Sequence, residues 1–109
     1  MGFLVAFSRK MYLTSYINSL EVKIRDITEQ RLDLTETITN LTTQISDISD
    51  NDSAAVKKLK ARQAELENLD KQLEMRMQKY QAQLQAAQTE HQSADQSLQQ
   101  GIQRSFTYS

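Results

Sequence analysis

The sequence has no cysteine, no proline and no tryptophan, and only two glycines in 109 residues. Without cysteine there is no disulfide framework, no cysteine-based zinc cluster and no thiol nucleophile. Without proline, and nearly without glycine, a turn-rich β-sandwich or barrel lacks its turn chemistry, and a phosphate-cradling loop has nothing to be built from. An excess of one charge is missing too. Thirteen Lys and Arg stand against 14 Asp and Glu, a net charge of −1. No bulk field therefore draws the chain to nucleic acid or acidic lipid. No stretch approaches the roughly 20 apolar residues that cross a bilayer. The apolar run Met1–Phe7 is followed, not preceded, by Arg9 and Lys10, the reverse of a signal peptide. Ala6 stands where an N-myristoylation signal carries Ser or Thr. The expected location is cytoplasmic, or exported without a cleaved signal peptide.

What the chain does have is periodicity. Leu13, Ile17, Leu20, Ile24, Ile27, Leu34, Ile38, Leu41, Ile45 and Ile48 follow alternating steps of four and three, with one step of seven across Arg31. This is a heptad repeat, with Ile17, Ile24, Arg31, Ile38 and Ile45 at a and the remaining residues at d. Continued backwards, the frame takes in Lys10, Ala6 and Phe3. The pattern stops at Ser49-Asp50-Asn51-Asp52-Ser53, residues that compete for backbone groups and favour caps and turns. Asp52 or Ser53 is expected to cap a new helix at Ala54. The second seam reads Leu59, Arg62, Leu66, Leu69, Leu73, Met77, Tyr80, Leu84, Ala87, His91, Ala94, Leu98, Ile102 and Phe106. Its two successive steps of four at Leu69–Leu73–Met77 predict a stutter that locally unwinds the supercoil.

Folding at Asn51 gives an all-α protein: a long antiparallel two-helix coiled-coil hairpin with its turn near residues 49–53. One domain covers 1–109, with helix one over about 3–48, helix two over about 54–104 and a frayed tail at 105–109. Facing positions then sum to about 104, so Ile48 meets Ala55, Leu13 meets His91, and Leu34 meets Leu69. A chain that stays straight through Asn51 would instead form a long parallel dimer.

Near the turn, Lys57, Lys58, Lys60 and Arg62 are balanced by Glu36, Asp47, Asp50 and Asp52. A solvated, compensated face is the expectation, rather than a nucleic-acid patch. The opposite end is neutral. Residues 78–103 are rich in glutamine, a good helix former. Phe3, Phe7, Met11, Tyr12, Tyr16, Leu98, Ile102, Phe106 and Tyr108 gather there, and the two seams cannot cover all of them. These nine residues are the candidate assembly interface. His91, the sole histidine, falls on the seam with Asp95 one turn on. A hydrogen-bonded seam residue is expected, since no set of inward carboxylates accompanies it to hold a metal. Arg31 interrupts an aliphatic seam and is expected to reach Asp70 or Glu74, setting register at a cost in stability. Arg31→Ile is then expected to raise the melting temperature.

Met1-Gly2, followed by Arg9, Leu13, Thr14, Glu21 and Arg31 at their present spacings, resembles the opening of a bacterial family of short coiled-coil proteins. The likeness covers about the first third of the chain and implies a bacterial origin, but no activity. Phe3-Leu4-Val5 replaces the family's small-residue start. A looser likeness is to the axial proteins of flagella and type III secretion needles, which are cysteine-poor and pack both terminal helices into a filament core. Here Phe3–Tyr16 and Leu84–Tyr108 would take that part.

The expected function is non-enzymatic: self-association, or docking into a larger bacterial assembly, through the neutral aromatic end. The expected partner is another copy or a helical protein, with no cofactor, metal, nucleic acid or small-molecule substrate. One alternative is an adaptor or secretion chaperone that binds a partner helix. Another is a membrane-surface protein anchored by residues 3–7.

Overall fold

A heptad of isoleucine and leucine, free of helix breakers, leaves the chain one way to bury its apolar stripe: against a second helix. The computed structural model describes residues 2–50 and 53–108, with side chains described through residue 104. Helix α1 spans Phe3–Asp47 and helix α2 spans Ala54–Tyr108, and they form an antiparallel helical hairpin. The described residues contain no strand.

The helix ends follow local chemistry. The Gly2 carbonyl accepts the Ala6 N–H at 3.1 Å and opens α1. At the other end the Ile48 N–H turns back to the Ile45 carbonyl at 3.3 Å, and the ladder stops. The Ser53 N–H reaches the Asp50 carbonyl at 3.3 Å across the turn. Ser53 then caps α2, its Oγ accepting the Val56 N–H at 3.2 Å, a contact worth about 1 kcal/mol. The expectations for Asn51 and Asp52 lie outside the described residues. Helix α2 runs on through Tyr108, where the sequence predicted fraying from 105. Ser105-Phe106-Thr107-Tyr108 holds no proline or glycine to stop the helix.

The chain divides into two compact units, one of Met1–Ile24 with Lys79–Ser109 and one of Arg25–Gln78. In the terminal unit Leu13, Leu20, Ala87 and Ala94 form a buried cluster, with Tyr16, Ile17, Tyr80 and Leu84 packed against it. The d residues Ala6, Leu13 and Leu20 are buried, whereas Ile17 and Ile24 at a are half-buried and Phe3 is exposed. A seam covered by a single neighbouring helix leaves one flank in water. Small residues recur every seventh position on α2, at Ala87, Ala94 and Gly101. A Cβ built at Gly101 would lie 3.9 Å from Phe3 Cβ, an ordinary contact. Cross-helix pairs fix the register: Arg9 with Glu90, Lys10 with Asp95, Thr14 with His91, and Lys23 over the Tyr80 ring. Their residue numbers total between 99 and 105, close to the expected 104.

In the turn unit Ile27, Leu41, Val56, Leu66 and Leu73 are buried. Here the structure corrects the sequence reading of α2. The inward positions are Val56, Leu59, Gln63, Leu66, Asp70, Leu73 and Met77, an unbroken alternation of threes and fours. No stutter is needed. Arg62 is exposed and pairs with Glu65 on its own helix at 3.1 Å, and Leu69 is 42% exposed. Val56, absent from the predicted seam, is fully buried, while Ala55, expected opposite Ile48, is exposed. The polar residues are admitted because α1 supplies partners. Asp70 accepts from Arg31 Nε at 2.9 Å, and Gln63 Nε2 donates to Thr42 Oγ1 at 2.7 Å. A helix keeps its 3.5-residue period by placing a paired aspartate inward and a leucine outward, because changing period would disrupt every layer beyond.

Candidate functional site

The terminal unit carries most of the exposed large hydrophobic side chains, and they cluster on the first turns of α1. Leu4 is 75% exposed, Tyr12 59%, Met11 55% and Val5 54%, with Phe3 and Phe7 at 45% each. Ile102 on α2 is also exposed, whereas Tyr16 and Leu98 are half-buried. Of the nine interface candidates, Phe3, Phe7, Met11, Tyr12 and Ile102 thus lie in water. The side chains of Phe106 and Tyr108 lie outside the described residues. Leu4 and Val5 were not among the candidates. Their signal was the apolar run Met1–Phe7, which no single stripe of one helix can bury.

The rings are ordered in pairs one turn apart. Phe3 and Phe7 stack with centroids 6.3 Å apart, and Tyr12 and Tyr16 stack at 6.2 Å. Arg9 lies over the Tyr12 ring at 5.7 Å while also pairing with Glu90. Such spacing is what residues at i and i+4 on a helix produce.

Two flanks of the terminal unit differ in chemistry. On one, a groove of about 250 Å³ is lined by Arg9, Tyr12, Tyr16, Gln83, Ala86 and Glu90, among others. It joins the stacked tyrosines to the Arg9–Glu90 pair. On the other, a groove of about 440 Å³ is lined by Ile17, Gln85, Gln88, Thr89, His91 and Gln92. Both are shallow and open, with no concave site that would exclude water from a reaction.

His91 sits on the second flank. Thr14 Oγ1 donates its proton to the Lys10 carbonyl at 2.9 Å. It also lies 3.0 Å from His91 Nε2, within hydrogen-bond distance across the helix pair. Asp95 is held below the usual carboxylate range, first by its hydrogen bond from Lys10, 2.7 Å away, then by the Lys10 charge; partial desolvation opposes, and His91 adds a smaller lowering. His91 and Asp95 are thus each engaged with α1, and no group of three or more metal-ligating side chains occurs among the described residues.

Arg31 is in the turn unit and reaches both residues proposed from sequence, Asp70 at 2.9 Å and Glu74 at 4.0 Å. Its pKa is raised, chiefly by the hydrogen bond to Asp70, against a smaller lowering by desolvation. No described helix is long and apolar enough to cross a membrane. Compared with protein-family models, curated proteins and solved structures, the chain matches none.

Proposed function

We propose that the protein is a non-enzymatic assembly protein that associates with another copy of itself, or with a larger bacterial assembly, through the terminal unit. The observation that carries this reading is the exposure of Leu4, Val5, Phe7, Met11 and Tyr12 within ten residues of one helix. Scattered single hydrophobics on a surface are ordinary, but several large ones within three turns at the end of an otherwise polar helix are a mark of a contact site. The terminal unit adds neutral glutamine and alanine, and the charges next to these side chains, Arg9 and Lys10, are each paired across the hairpin with Glu90 and Asp95. The likeness to short bacterial coiled-coil proteins belongs to the same proposal, and so does a location that is cytoplasmic or exported without a cleaved signal peptide.

The test is light scattering coupled to size exclusion over a hundredfold range of concentration. A mass that rises with concentration is the expected result. A mass fixed at one chain throughout would overturn self-association and leave docking to a partner helix as the reading. Flotation with liposomes separates both from anchoring by residues 3–7.

A further inference from the structure

We infer that the terminal unit pairs with a second copy through one of its two flanks: the glutamine flank that carries His91, not the tyrosine flank that carries Arg9. This rests on the proposed self-association and specifies its surface.

The assignment begins with the heptad frame. Leu4 and Met11 share one position of the repeat and Phe7 and Thr14 share the adjacent one, so the four side chains form a second stripe beside the seam. On α2, Gln78, Gln85, Gln92 and Gln99 recur every seven residues, and Gln81 and Gln88 recur between them. All six are exposed. The two stripes border the same edge of the helix pair. Thr14 contacts His91, Lys10 reaches Asp95, and Ile17 shares its groove with Gln85, Gln88 and Gln92. The opposite edge is occupied by Arg9, Glu90, Tyr12 and Tyr16.

Charge and area decide the occupant. Along this edge the α2 stripe presents amides, and its Asp95 is already compensated by Lys10. A two-fold contact sets each patch against its own copy, so a charged patch repels itself and a neutral one does not. Glutamine is suited to such self-pairing because its amide both donates and accepts. Leu4, Phe7 and Met11 are 75%, 45% and 55% exposed, and Gln85, Gln88 and Gln92 beside them are exposed as well, so this edge has apolar and amide surface for a second copy to cover. The tyrosine edge is less suited, since its Arg9–Glu90 pair is still about half in water, at 50% and 53% exposed, and would have to be desolvated, whereas Lys10 and Asp95 are already covered to 32% and 37%.

The experiment compares three variants with the wild type by sedimentation velocity, with circular dichroism at 222 nm to verify the fold. Gln88→Glu and Met11→Glu place carboxylates on the proposed face, and Tyr12→Glu places one on the other flank. All three positions are exposed. The expected result is a dimer dissociation constant at least about tenfold weaker for Gln88→Glu and Met11→Glu, and within about twofold of wild type for Tyr12→Glu. Loss of association in Tyr12→Glu, with Gln88→Glu unaffected, would overturn the choice of flank while leaving self-association standing. A wild type that remains a single chain at all concentrations would overturn both.

Discussion

Gly101 offers the sharpest check on the packing of the terminal unit. It lies inside helix α2, seven residues beyond Ala94, on the inward face and against Phe3. A glycine in a helix interior costs about 1 kcal/mol relative to alanine, mostly through backbone freedom in the unfolded chain. Replacement helps only if the new methyl group has room. The structure supplies that room: the nearest atoms to a Cβ at 101 are Phe3 Cβ at 3.9 Å and Phe3 Cδ2 at 4.0 Å. Those separations sit at the attractive minimum between carbon atoms, where each pair adds about 0.1–0.2 kcal/mol. Gly101→Ala is therefore expected to stabilise the protein by just over about 1 kcal/mol, combining propensity and contact. For a domain of this size that corresponds to a melting temperature higher by roughly 4–8 °C. The assay is thermal and urea unfolding followed at 222 nm, at one fixed protein concentration because association shifts apparent stability. A fall in melting temperature would refute the reasoning, since it would require a closer approach of Phe3 than the structure shows. No change at all would mean that the helix around 101 opens before the cooperative transition.

Other expectations follow from the corrected seam and from the charged pairs. Leu73→Ala should destabilise by about 2–4 kcal/mol, as buried leucine truncations do, while Leu69→Gln should cost less than about 1 kcal/mol because that side chain is already partly in water; equal effects would restore the stutter. The rise in melting temperature expected from sequence for Arg31→Ile is revised now that Asp70 is bonded to Arg31. The single change should lower the melting temperature by leaving Asp70 without its cation, and Arg31→Ile with Asp70→Leu should raise it above wild type. A rise in the single variant would show that the pair contributes nothing to stability. Asp95, with its folded pKa lowered, contributes stability that is fully present above its unfolded value near about 4. That contribution is lost as the pH falls through the lower folded value. Asp95→Asn should therefore flatten the acid limb of the stability profile, and an unchanged limb would contradict the Lys10 pairing.

The hairpin was readable from the chain because its signal is strong and local. An α1 seam of isoleucine and leucine in alternating threes and fours permits one buried stripe, and the cluster 49–53 marks where the helix must stop. A cap at Asp52 or Ser53, the register near 104 and the reach of Arg31 to Asp70 or Glu74 all follow from that frame. The α2 seam was misread at Arg62 and Leu69 because hydrophobicity was used to choose inward residues. Position 69 carries a leucine and position 70 an aspartate, and a single helix gives no reason to turn the aspartate inward. The reason lies 39 residues away in the sequence, in Arg31. The same holds for Gln63, whose partner is Thr42. Val56 was passed over because it stands next to the turn, where a period has too few repeats to be recognised.

By itself, then, the sequence determined the helical class and the place of the break, since both depend on periodicity and local backbone competition, but it left open a long parallel dimer, which the hairpin of α1 and α2 replaces. Only the tertiary structure decided which polar residues belong to the seam, because burial of a polar group depends on a partner the other helix provides. It also added Leu4 and Val5 to the apolar residues in water beside Met11 and Tyr12, which their place off the seam had already marked. Two helices have only one face each to cover.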